Sequence, residues 1–95
     1  LMRLIWSLLA RGDLFGIADY YNGISEGLGD DLLGRIEDAT RLIPTFPRMG
    51  SPTGVPGVRK LLVPRTPFLL IYAVNTATVE VRRVLHARSD WREKP

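Results

Sequence analysis

The residues best able to do chemistry lie together near the C-terminal end. The run Val79-Glu80-Val81-Arg82-Arg83-Val84-Leu85-His86-Ala87-Arg88-Ser89-Asp90-Trp91 contains the only histidine, three arginines and one of the two tryptophans. An imidazole with an ordinary pKa of ~6.5 can serve as a general acid or base near neutrality. Neighbouring arginines can clamp phosphate or carboxylate groups. The same side chains also act as plain structural hydrogen-bonders at strand ends. Arg88 and Asp90 can pair locally, with little gain at a surface. Trp91 can pack back on a sheet or anchor a partner. Arg59, Lys60 and Arg65 add positive charge upstream.

Charge is unevenly spread around that cluster. Residues 1–50 carry five Lys/Arg against seven Asp/Glu, and residues 51–95 carry eight against three. The C-terminal half therefore presents a positive field suited to an acidic protein segment or a nucleic acid. Other chemistry is excluded more directly. With no cysteine and one histidine, neither a disulfide frame nor a structural zinc site can be built, and no metal or cofactor is expected. No phosphate loop, nucleophile elbow or His-Glu metal motif occurs. Asp30-Asp31 and Glu37-Asp38 resemble paired carboxylates, but adjacent helical residues do not converge on one substrate. The apolar start, Leu4 to Leu9, is cut by Arg11, Gly12 and Asp13 before it could form a signal segment. No apolar run reaches the ~18 residues that span a membrane. The expectation is a single domain over 1–95, cytoplasmic and without a membrane partner.

The elements that must position these groups follow from periodicity. Leu4-Ile5-Trp6 reads as a first strand, with Ser7 as the N-cap of a helix. Ala10, Leu14, Ile17, Ala18 and Tyr21 share one helical face, and Asn22-Gly23 marks its end. Leu32, Ile36, Ala39 and Ile43 stripe a second helix, which has acidic residues in its first turn and is stopped by Pro44. Glycines 12, 16, 27, 29 and 34 suggest a loose helical hairpin. Residues 44–57, rich in proline and glycine, read as a loop. Val58–Val63, Phe68–Val74 and Thr78–Leu85 read as strands, with turns at 64–67 and 75–77. The middle one is apolar throughout and so belongs at the centre of a sheet. The order β-α-α-β-β-β predicts an α+β domain, its N-terminal helical hairpin packed on one face of a small, mainly antiparallel sheet.

Strict alternation in the last strand puts Val79, Val81, Arg83 and Leu85 on one face and Glu80, Arg82, Val84 and His86 on the other. Neither face is then uniformly apolar beyond Val81. A bulge at Arg82-Arg83 or a polar working surface would each explain it.

Taken in order, these pieces resemble the RelE/ParE superfamily of toxins from bacterial type II toxin–antitoxin pairs. The resemblance rests on Trp6-Ser7 with Ala10, Asp13-Leu14, Ile17 and Tyr20-Tyr21, then Phe46-Pro47 with Gly50. It continues through Val58-Arg59-Lys60-Leu61, Ile71-Tyr72 and the ending Arg83 to Trp91, which is similar to the ParE branch. It implies a toxin held in a hetero-oligomer by a cognate antitoxin, acidic and partly disordered when free. RelE-like members cut messenger RNA on the ribosome, using basic residues and an acid/base group. ParE-like members are associated with poisoning DNA gyrase. Leu69 stands where RelE-like toxins tend to carry an arginine, and no tyrosine follows the last strand. The expectation is therefore a ParE-like inhibitor of gyrase or another type II topoisomerase, without catalytic residues. Its target or antitoxin surface would comprise Arg59, Lys60, Arg65, Arg82, Arg83, His86, Arg88, Asp90 and Trp91. The alternative is a ribosome-dependent endoribonuclease using His86 with Arg65, Arg83 and Arg88.

Overall fold

A computed structural model describes residues 2–93. Strand β1 (Arg3–Trp6) leads into helices α1 (Leu8–Ile24) and α2 (Leu28–Leu42). Strands β2 (Ser51–Pro52), β3 (Val58–Leu62), β4 (Phe68–Val74) and β5 (Thr78–His86) follow, and a 3-10 turn covers Trp91–Glu93. The sheet order is β1-β5-β4-β3-β2. Only β1 runs parallel to its neighbour β5; the other pairs are antiparallel. This is the predicted α+β architecture, with one short strand added inside the proline-rich loop. Pro52 is tolerated in β2 because β2 is the sheet edge.

Ser7 caps α1, its Oγ accepting from the Ala10 N–H at 3.0 Å. The helix runs slightly past the predicted end, to Ile24. Gly27 opens α2 with φ of +79°, a left-handed conformation that favours glycine. Gly29 lets the helices close, since a Cβ there would lie 2.4 Å from the Ala18 carbonyl oxygen. The predicted α2 stripe of Leu32, Ile36, Ala39 and Ile43 is fully buried. With Ala10 and Ile17 of α1 it packs on Phe68, Leu70, Tyr72, Val79, Val81 and Val84 of the sheet.

The sheet's far face carries a second, smaller apolar layer. Val58, Ile71, Ala73 and Leu85 form it, with Leu69 and Trp91 packed against them. β4 is thus apolar on both sides, as its sequence requires.

Candidate functional site

The last strand settles between the two explanations of its pattern. Tyr72 pairs with Val81 but Ile71 pairs with Arg83, so Arg82 is an extra residue and β5 bulges there. The bulge inverts the alternation beyond it. Val84, placed by strict alternation opposite Val79 and Val81, joins them in the helix-side core, and Leu85 faces the other way. Arg82 and Arg83 consequently line the same groove on the far face.

A bulge removes ladder partners from backbone groups, and buried polar groups need replacements. Here α1 supplies them. The β1–β5 pairing ends at Trp6 opposite Val81, and Ser7 then donates its Oγ proton to the Arg82 carbonyl at 2.7 Å. One and a half turns later, Asp13 accepts the Val84 N–H at 2.8 Å. The same carboxylate accepts two bonds from the Arg83 guanidinium, both at 2.8 Å. The pair is largely shielded, with side-chain exposures of 15% and 14%. Its hydrogen bonds to Asp13 raise the Arg83 pKa above the ordinary arginine value. Arg83 is therefore an ion-paired clamp between β5 and α1.

Trp91 folds back over the far face. Its ring has the Lys60 ammonium 5.6 Å from the centroid and the Arg92 guanidinium 4.9 Å away, both within cation–π range. Asp90 accepts from the Arg92 N–H at 3.3 Å, which holds the turn carrying Trp91. Val55, Val58, Ile71, Arg82, Arg83, Trp91 and Arg92 enclose a groove of about 300 Å³. Its floor is apolar and its rim basic.

The other expected site residues lie elsewhere. Arg59 donates to the Gly50 carbonyl at 2.7 Å and pins the 44–57 loop to β3. It acts there beside Tyr72, whose hydroxyl donates to Pro47 O at 2.8 Å and accepts from Gly50 N–H at 2.9 Å. Burial raises the Tyr72 pKa, against the lowering effects of the Gly50 bond and the Arg59 charge. Arg65 sits in the β3–β4 turn at φ of +60°, beside α2, and its carbonyl accepts from Arg35 at 2.9 Å. His86 is exposed on the helix side, in a shallow depression with Gly16, Tyr20, Tyr21 and Phe68. Its Nδ1 accepts the Arg88 N–H at 3.1 Å, which leaves the neutral ring's proton on Nε2. Phe68 meets the imidazole edge-on at 6.2 Å between centroids.

The expected surface is thus divided. Lys60, Arg82, Arg83 and Trp91 converge on the far face; Arg59 and Arg65 do not, and His86 belongs to the opposite side. Asp13, Ser7 and Arg92 were missed by sequence reasoning. Asp13 did leave a signal, since three residues after Ala10 and four before Ile17 it falls on the apolar stripe of α1.

A family model described as "ParE toxin of type II toxin-antitoxin system, parDE" matches residues 4–91. The chain belongs to the ParE toxin family. This ParE-family toxin is 26% identical over 89 residues to a Sinorhizobium fredii (strain NBRC 101917 / NGR234) protein named "Putative toxin Y4kP", covering 94% of this chain and 92% of that one. It also superposes on a solved chain titled "Chromosomal ParDE TA system from P. aeruginosa", with a TM-score of 0.68 and 27% identity. That match covers 90% of this chain and 95% of the other. No helix of the described toxin is long and apolar enough to cross a membrane.

Proposed function

We propose that this ParE-family toxin inhibits DNA gyrase, or a related type II topoisomerase, by protein–protein contact, and that a cognate antitoxin neutralises it. The observation that carries this reading is the far-face groove, where Trp91 lies over an apolar floor between Lys60 and Arg92 with Arg82 at the rim. An aromatic anchor in a basic, partly desolvated setting is the composition of a protein-binding hot spot. An acidic, apolar segment of a partner complements it in charge. The antitoxin is expected to be such a segment, within a hetero-oligomer in the cytoplasm.

Ribonuclease chemistry has less support. It needs a protonatable group and arginines around one phosphate. Arg83 is neutralised by Asp13, Arg65 stands at the α2 side, and His86 shares its depression with aromatic rings and glycine.

The direct test is a supercoiling assay with purified gyrase. Inhibition is expected at micromolar toxin, and Trp91→Ala and Arg82→Glu should relieve it while His86→Ala does not. No inhibition by the wild type at that concentration would sink the proposal. Site-specific cleavage of translated messages that disappears in His86→Ala would replace it with the ribosome-dependent reading.

A further inference from the structure

Helix α1 is apolar on the side that faces solvent as well as on the side that faces the core. Leu8, Phe15, Tyr20 and Ile24 are 83%, 78%, 65% and 61% exposed, and Leu9 is half exposed. A helix apolar all round is ordinarily covered all round. By contrast, Asp30, Asp31, Glu37, Asp38 and Arg41 face solvent on α2.

Glycine gives the second observation. Gly12, Gly16 and Gly23 fall on this outer face, and a Cβ at each would meet nothing within 4 Å. Gly29 has its reason inside the chain, in the approach of Ala18; these three have none there. Gly34 is equally open, but it lies amid the charges of α2. Only α1 joins open glycines to large exposed apolar side chains. That combination lets another helix approach closely and seat its side chains over the glycines.

We propose that this face is a self-association surface, with α1 of a second copy packed antiparallel across it. If two copies cross at Gly12, residues whose numbers sum to twenty-four come opposite one another, and helical periodicity keeps both on the contact face. Leu8 then enters the notch at Gly16 of the other copy, and Phe15 meets the other copy's Leu9. Arg11 falls opposite Asp13, and no like charges oppose within the helix. A two-fold contact requires such self-complementarity. Aromatic side chains bury ~150–250 Å² each, so this face offers about 1,000 Å² over both copies, near the lower bound for a specific interface. The dimer is therefore weak and concentration-dependent. It uses the opposite side of the molecule from the Trp91 groove and does not depend on the gyrase reading.

Sedimentation velocity of the purified full chain, without antitoxin, tests this from micromolar to near-millimolar concentration. The wild type is expected to shift from monomer to dimer over that range. Phe15→Glu should stay monomeric throughout. Gly16→Leu should also stay monomeric, because it fills the notch; it meets no intrachain obstacle and raises helix propensity, so its circular dichroism and melting should match or exceed the wild type. A wild type that stays monomeric overturns the proposal, as does a Gly16→Leu protein that dimerises like the wild type. If the wild type is monomeric and Phe15→Glu instead loses antitoxin binding or adsorption to lipid vesicles, the face belongs to that other occupant and the proposal fails.

Discussion

Asp13 joins two parts of the chain that meet only after folding. Its partner Arg83 is 70 positions away, and the bulge it stabilises is itself a tertiary feature. Replacing Asp13 with alanine strips the Val84 N–H and the Arg83 guanidinium of their acceptor together. Hydrogen bonds to charged groups contribute about 1.5–3 kcal/mol each, and they do not add fully within one network. Asp13→Ala is expected to lose about 3 kcal/mol, or roughly 12–24 °C of melting temperature in a domain this small. Calorimetry checks it; a loss below about 1 kcal/mol would mean that solvent replaces the carboxylate. Asp13 was visible in sequence as a charge on an apolar stripe, but its role was not, because no local pattern encodes a partner so distant. Tyr72 shows the reverse. Its burial was legible from an apolar strand, and its pKa direction follows. The folded protein raises it, so the stabilisation from the neutral phenol is fully present below the unfolded-state value near 10 and is lost as pH rises through the folded-state value. Ultraviolet titration should show Tyr72 ionising later than the exposed Tyr20 and together with unfolding. Tyr72→Phe, which keeps the ring, should remove that step and cost about 1–3 kcal/mol through the unpaired Gly50 N–H and Pro47 carbonyl.

At the scale of elements, what was local was readable. The α2 stripe, its acidic first turn and Pro44 specify a helix without reference to anything else, and β4 shows its central position by being apolar on both faces. The bulge in β5 was only half readable: the clash between alternation and composition announced an irregularity, while its position depended on Ser7 and Asp13 of another element. β2 escaped notice because two residues of edge pairing, one of them proline, carry no periodic signal. The helical hairpin also differs from its sequence impression. Its glycines suggested looseness, yet Gly29 is there because α1 and α2 touch. A methyl group at that position would meet the Ala18 oxygen at 2.4 Å and the Asn22 Oδ1 at 2.8 Å, where Asn22 already accepts the Gly29 N–H. Backbone cannot yield as a side-chain tip can. Gly29→Ala is therefore expected to cost about 2–3 kcal/mol despite alanine's better helix propensity. Urea unfolding measures the cost, and a stabilised variant would show that the hairpin is as loose as its composition suggested.

The whole molecule is a sheet with unequal layers on its two faces. The helix side holds most of the buried core; the far side holds Val58, Ile71, Ala73 and Leu85, closed by Leu69 and Trp91. Such layers should be separable. The helical layer alone covers one face of β4 and β5 and contains the Asp13–Arg83 clamp, so it should sustain the fold when the far layer is opened. Deleting residues 90–95 removes Trp91 together with its flanking Arg92, and exposes the apolar floor of the groove. Loss of a half-buried tryptophan should cost about 2–3 kcal/mol, below the range for a fully buried one. That is a large share of the stability of a small domain but not all of it. The truncated chain is expected to keep the circular dichroism of the α+β fold, melt at lower temperature, bind a hydrophobic dye on its uncovered face and no longer inhibit supercoiling. Hydrogen exchange would locate the damage. Protection should fall in β3 and in β5 beyond the bulge while α1 and α2 keep theirs. Equal loss across both layers would mean that the far side is part of one indivisible core, and that Trp91 is needed for folding before it is available for binding.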